Sequence, residues 1–136
     1  MSANQSQTEA TLTRHLRAFA SSSVDGVMQD YTEESVFVVP DGPLHGLGEI
    51  RKFFTTFIET LPAGFLEAFK IHKLEIVGEL GYLLWEASPW VLLGTDTFFV
   101  RNEHIMMQTF AAHPFSATLN VRSTARECLL PGNLTV

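Results

Sequence analysis

Cysteine is nearly absent: Cys128 is the single one. It cannot form an internal disulfide, which fits a reducing cytosol and leaves the fold to rest on its core. Charge is scarce too. Only 18% of residues are Asp, Glu, Lys or Arg, below the usual quarter, so some surface is expected to be covered by a partner. The nine Lys and Arg are spread along a chain of net charge −6. That argues against nucleic-acid binding and against a basic membrane face. No apolar run approaches the roughly 18 residues that span a bilayer. Met1-Ser2-Ala3-Asn4-Gln5 lacks the basic and apolar regions of a signal peptide, so a cytoplasmic location is expected. Gly-x-Gly-x-x-Gly and phosphate-loop patterns are missing, which argues against nucleotide use. None of His15, His45, His72, His104 and His113 shows metal-binding spacing. A Gly-x-Ser-x-Gly nucleophile elbow is absent as well.

What is present is a chain of 136 residues, 46% of them hydrophobic. That suits one domain with a real core rather than a disordered chain. Residues 1–7 are polar and expected to be disordered. Ser6-Gln7-Thr8-Glu9 has capping-box spacing, so a helix should start near Thr8. Leu12, His15, Leu16 and Phe19 follow at steps of three and four and give it one buried stripe. Ser23 can cap a second short helix, whose inner face is Val24, Val27, Met28 and Tyr31. Ser35-Val36-Phe37-Val38-Val39 reads as a strand, stopped by Pro40-Asp41-Gly42-Pro43. Gly46-Leu47-Gly48 leads into a third helix, with apolar positions from Leu47 to Leu61, and Pro62-Ala63-Gly64 ends it. From about Leu66 the pattern becomes strands, near 66–77, 81–92, 94–101 and 104–112. Gly78-Glu79-Leu80-Gly81 and Arg101-Asn102-Glu103-His104 look like hairpin turns, and Leu92-Leu93-Gly94 like a bend or bulge.

Helices followed by an antiparallel meander make an α+β layout, with the helices on one sheet face. Tyr82-Leu83-Leu84-Trp85 and Thr97-Phe98-Phe99-Val100 are apolar on both faces. An antiparallel sheet normally keeps one face wet, so a second subunit could cover the other.

The stretches Phe19-Ala20 to Asp25-Gly26, Tyr31, Val39-Pro40, Gly46, Ile50-Arg51-Lys52-Phe53-Phe54, Gly94-Thr95-Asp96-Thr97-Phe98-Phe99-Val100-Arg101 and Gln108-Thr109-Phe110 resemble the nuclear transport factor 2-like superfamily. The resemblance is narrower to its SnoaL-like and ketosteroid-isomerase-like branch. It covers a single domain over residues 8–113, leaving 114–136 as an extension that could lie at a dimer interface. It implies a cone-shaped barrel of cystatin-like, SnoaL-like topology. Three N-terminal helices pack on a strongly curved, mostly antiparallel sheet around an apolar pocket, and homodimers form through the convex sheet face. In ketosteroid isomerases a tyrosine and a protonated aspartic acid donate to the substrate oxygen, and a second aspartate moves the proton. Matched by motif, the late-strand acid falls on Asp96, the tyrosine on His15 and the proton-moving base on Val39. Steroid isomerisation by that route is therefore not expected. Related cyclases and dehydratases use aspartate and histidine combinations, which points to His15 with Asp96.

A two-residue turn at Asn102-Glu103 puts Asp96 opposite Thr109. Asp96, Phe98, Val100, Ile105, Met107 and Thr109 would then point to one side, which the resemblance makes the pocket, unless the register slips by one. On the neighbouring strand, Tyr82, Leu84, Glu86, Ser88 and Trp90 are taken as inward, with Leu83 and Trp85 as the alternative. The expected site has His15, Asp96 and Glu86 as acid–base groups. His15 and Asp96 should lie in direct hydrogen-bonding reach or be joined by one water. Phe19, Tyr31, Phe37, Val39, Phe54, Tyr82, Trp90, Phe98, Met107 and Thr109 would bind substrate. The expected function is a small-molecule enzyme of the isomerase, dehydratase or cyclase kind. It would act on a mostly apolar, ring-like substrate with no organic cofactor and no metal. The alternatives are a non-catalytic binding module and a protein-interaction subunit.

Overall fold

The computed structural model describes residues 3–114. Cys128 and nearly all of the 114–136 extension lie outside them. α1 (Ala3–Ala20) and α2 (Val24–Met28) lead into β1 (Val36–Val39) and β2 (Gly42–His45). α3 (Gly46–Glu59) and the one-turn α4 (Phe65–Ala68) follow. The meander is β3 (Phe69–Val77), β4 (Leu80–Ala87), β5 (Val91–Arg101) and β6 (His104–His113). The six strands form one curved sheet in the order β2-β1-β6-β5-β4-β3. Only β1 and β6 run parallel; all other neighbours are antiparallel. This is the expected α+β architecture of helices on a curved sheet.

α1 begins five residues before Thr8, so residues 3–7, expected to be disordered, form its first turns. The reason is tertiary. Thr8 is buried, and its hydroxyl lies 2.8 Å from both the Asn4 carbonyl and the Gly78 carbonyl of the β3–β4 turn. That contact holds the helix start to the sheet. Ser23 caps α2 by accepting from the Gly26 amide at 3.0 Å. β2 falls where a turn alone was expected, because Gly42–His45 folds back on β1. The 81–92 strand instead ends at Ala87 and the next begins at Val91. Pro89 lacks an N–H for the ladder, and the Trp90 amide closes the turn on the Ala87 carbonyl at 2.9 Å. The Asn102-Glu103 hairpin is as expected, with φ of 53° and 64° at its two central residues.

The inner face of the sheet carries the core: Phe37, Val39, Leu83, Trp85, Ala87, Phe98, Val100 and Ile105 are all buried. They meet Leu12, Val27, Met28, Tyr31, Ile50, Phe54, Phe57 and Phe65. On the inner face β4 shows Leu83 and Trp85, correcting the reading that turned Tyr82, Leu84 and Glu86 inward. Burying Glu86 would strip its carboxylate of water, whereas Leu83 and Trp85 gain from burial. The other correction lies on β6. Val100 pairs with Ile105 but Phe99 pairs with Met107, so Met106 is one extra residue. This bulge reverses the alternation beyond it. Asp96 therefore faces Phe110 rather than Thr109, Gln108 turns inward, and Met107 and Thr109 turn outward.

Candidate active site

α1 delivers His15 to the interior on the stripe Thr8, Thr11, Leu12, His15. β5 delivers Asp96 and β6 delivers Gln108, both buried polar residues on an otherwise apolar face. Together they line a cavity of about 60 Å³, otherwise walled by Leu16, Phe19, Phe37, Phe54, Phe69, Leu83, Trp85 and Phe98. Phe53, Phe57 and Phe110 also line it, and the same three rings line an outer groove of about 300 Å³. That groove is bounded by Val39, Pro40, Asp41, Leu44, Glu49, Lys52 and Thr56. The three rings thus stand between the two spaces. Phe53 and Phe57 stack with centroids 5.4 Å apart, and Phe110 meets both edge-on.

His15 and Asp96 share this cavity but do not pair directly. His15 Nδ1 lies 3.0 Å from Asp30 Oδ2, and its Nε2 lies 3.4 Å from the Tyr31 hydroxyl. Asp96 accepts from the Trp85 indole N–H at 2.9 Å on Oδ1 and from the Gln108 amide at 2.9 Å on Oδ2. Tyr31 donates to Gln108 Oε1. The expected pair is replaced by a chain: Asp30, His15, Tyr31, Gln108, Asp96, Trp85. At its outer end Arg14 donates to Asp30 Oδ1 at 2.8 Å from a half-exposed position. Asp30 itself is fully buried. Two charge-assisted partners on different oxygens keep it from being an orphaned charge.

Burial pushes the Asp96 carboxyl from its ordinary 3.8 up to about 6, against the opposing hydrogen bonds from Trp85 and Gln108. Its titration therefore falls close to neutrality, where acid–base groups work best. Burial raises the Tyr31 phenol well above its ordinary value, with the Asp96 and Asp30 charges adding to it. Tyr31 stays a neutral hydroxyl.

Gly94 explains how Trp85 reaches Asp96. The two residues are cross-strand partners, and a Cβ on Gly94 would come within 2.2 Å of the indole ring. The missing side chain lets the indole lie across β5. The expected bulge is there as well: the β4–β5 register shifts between Trp85–Gly94 and Ala87–Val91, setting Leu92 and Leu93 against Glu86 alone, and Gly94 borders it.

Of the other anticipated residues, Phe19, Phe37, Phe54 and Phe98 line the inner cavity, and Val39 lines the outer groove. Tyr31 stands behind the cavity in the hydrogen-bond chain. Tyr82 and Met107 are exposed, at 39% and 53%, and Thr109 lies on the same outer face. Trp90 packs on Phe65 at 6.0 Å instead of lining the cavity. Glu86 points away from it, accepting from Ser88 at 2.8 Å and meeting His72 Nε2 at 2.7 Å. The Ser88 bond, then that of His72, holds its carboxyl below the usual range.

Sequence reasoning missed Asp30 and Gln108. His15 and Asp30 lie at nearly equal distances on either side of the Ser21–Ser23 turn, so an antiparallel α1–α2 pair sets them face to face. That count was the available signal for Asp30. Gln108 had no signal, since only the bulge turns it inward. Among the described residues, no group of three or more His, Cys, Asp or Glu could hold a metal ion. No helix among them is long and apolar enough to cross a membrane.

A model of the SnoaL-like domain matches residues 12–108, most of the chain, from α1 into β6. The chain belongs to the SnoaL-like family. Solved structures agree on the fold. An NTF-2 like protein of unknown function from Burkholderia xenovorans has a TM-score of 0.68 at 17% identity, over 85% of this chain and 91% of that one. A candidate ketosteroid isomerase from Kribbella flavida has a TM-score of 0.64 at 12% identity, over 80% of this chain and 79% of that one. A de novo designed protein with a curved β-sheet reaches 0.69 at 15% identity, over 89% and 96%. A search of the curated proteins finds no match. These likenesses show the fold alone, and fold does not fix function, so function has to be argued from the side chains in the cavity.

Proposed function

We propose that this SnoaL-like domain is a small-molecule enzyme of the isomerase, dehydratase or cyclase type. It moves protons on a mostly apolar, ring-like substrate with its own side chains, without an organic cofactor or metal. One observation carries the reading: an aromatic cavity holds three polar side chains, His15, Asp96 and Gln108, and all three belong to one buried hydrogen-bond chain. His15 transfers the proton. Asp96 supplies the second acid–base group, with its carboxyl near 6. Glu86, on the outer face, takes no part. Val39 occupies the place where ketosteroid isomerases carry their mobile base, so the proton has to be handled from the His15 side.

Cavity size limits the substrate. A volume of about 60 Å³ is well short of the roughly 150 Å³ that accepts benzene. A ring-like substrate therefore requires Phe53, Phe57 and Phe110 to swing aside and join the cavity to the outer groove. Proton exchange tests the reading. Cyclic enones and ketones incubated in heavy water should gain deuterium at the carbon beside the carbonyl, at a rate lost in His15→Ala and Asp96→Asn. Saturable binding with no exchange would leave the non-catalytic binding module in front, a reading favoured by Val39. No binding at all would favour the protein-interaction subunit.

The same reading includes a cytoplasmic homodimer through the convex sheet face. Val38, Leu80, Tyr82, Leu93 and Met107 are exposed there, and a stable interface needs more than about 1,000 Å² in total. Sedimentation showing a monomer at micromolar concentration would count against it.

A further inference from the structure

We propose that Gln108 is a positioning residue whose amide reverses between Tyr31 and Asp96, and so decides whether His15 or Asp96 holds the proton of this site. The argument rests on donor counting. Tyr31 has one hydroxyl hydrogen, and it goes to Gln108 Oε1. Toward His15 the phenol oxygen can then only accept. With Nδ1 facing the Asp30 carboxylate, the arrangement that satisfies every contact has His15 donating from both nitrogens, as the imidazolium. Asp96, accepting from both Trp85 and Gln108, is the carboxylate. In this arrangement the proton sits on His15.

The same heavy atoms serve a second arrangement. Turning the Gln108 amide by about 180° about its last torsion, which is broad and two-fold, exchanges its oxygen and nitrogen. A protonated Asp96 then donates to Gln108 Oε1. The Gln108 amide donates to the Tyr31 oxygen, the Tyr31 hydroxyl donates to His15 Nε2, and neutral His15 keeps its Nδ1–H on Asp30. One proton has left Nε2 and one has arrived on Asp96 Oδ2. The proton travels through the cavity, in water or on a substrate; the amide carries none and only reverses its direction. Every donor in the chain has an acceptor when the pair holds one proton. With none, His15 Nε2 faces an oxygen that offers no hydrogen. With two, Gln108 and His15 both donate to Tyr31 while its own hydrogen loses its acceptor. The chain thus favours a single proton.

The surroundings leave this choice to the chain. Among the described residues, Asp30 and Tyr31 bond to His15, Asp96 shares its cavity, and its ring is flanked by Phe54 of α3 and Phe98 of β5. Asp96 is held from β4 by Trp85 and from β6 by Gln108, and Arg14 of α1 lies beyond Asp30. Burial, which lifts Asp96 to about 6, brings the second arrangement within reach near neutral pH.

This inference rests on the acid–base reading of the cavity, but its test reads ring protonation instead of turnover, so the two can fail separately. The His15 ring nitrogens are followed by nitrogen-15 NMR as pH is varied. In Asp96→Asn, the new amide donates to Gln108 Oε1 and locks the reversed arrangement. The His15 midpoint should fall by at least about one unit, a tenfold loss of proton affinity. The same substitution made in a Gln108→Leu background should move the midpoint by less than half as much. If Gln108→Leu does not fold, Tyr31→Phe breaks the same chain and must blunt the response equally. An equal shift with the chain intact and broken would show that Asp96 acts on His15 only by its charge, and would overturn the proposal. So would no shift in Asp96→Asn.

Discussion

Replacing Asp96 by asparagine should make this protein more stable at neutral pH and leave it nearly unchanged in acid. The substitution keeps shape and hydrogen bonding. The new side-chain oxygen can still accept from Trp85 Nε1, and the new amide nitrogen can donate to a reversed Gln108. What the substitution removes is a charge that burial penalises. The folded-state carboxyl stands near 6 against an ordinary 3.8. At about 1.36 kcal/mol per unit, the ionised form costs the folded state on the order of 3 kcal/mol. The sign follows from proton uptake. A carboxyl with a raised folded-state value binds its proton more tightly when folded. Its contribution is most favourable below about 3.8 and is lost as pH rises through about 6. The wild-type chain therefore carries the penalty at pH 7, and the Asp96→Asn variant does not. Urea denaturation of both proteins at several pH values reads the effect. The advantage of the variant should grow by on the order of 3 kcal/mol across that window, which is roughly 10 °C in melting temperature for a domain of this size. A stability difference that stays constant with pH would refute the claim that Asp96 is desolvated.

Asp30→Ala should cost about 3–5 kcal/mol, because it leaves His15 with a buried, unanswered donor. Arg14→Ala removes one of the two partners of the buried Asp30 carboxylate but leaves His15 on the other oxygen, and should cost less, about 1–3 kcal/mol; urea midpoints compare the two. Gly94→Ala should destabilise by about 1–3 kcal/mol or more, because the methyl must displace the Trp85 ring. The indole fluorescence should change with it, and an unshifted spectrum with unchanged stability would contradict the packing. Glu86→Gln should leave proton exchange unaltered, since its carboxylate faces His72 and Ser88 outside the cavity; a lost rate would return Glu86 to the site.

Local chemistry in the chain was enough for the main elements. The three-and-four spacing from Leu12 to Phe19 placed α1 and its buried stripe with His15 on it. Ser23 announced α2, and Asn102-Glu103 announced the hairpin that follows Asp96. These are short-range effects: helix periodicity, capping and turn preference act within a few residues, so they can be read in order along the chain. The helix extends beyond its apparent start, and Thr8 there holds a partner on a distant turn.

The composition of the site was decided elsewhere. Alternation along β4 and β6 is the same whichever face points inward. Choosing the face depends on where the helices lie and on where an extra residue enters the ladder. A single bulge at Met106 exchanged Met107 and Thr109 for Gln108 and Phe110. Leu83 and Trp85 turned inward, and Glu86 outward, because the apolar pair gains by leaving water and the carboxylate loses. That His15 and Asp96 would be polar residues at buried positions was already written in the order of residues around them. Their partners were chosen by folding, because the neighbours Asp30 and Tyr31, then Trp85, then Gln108 come from three separate parts of the chain, and a buried polar atom bonds to whatever the packing sets within 3 Å or so of it.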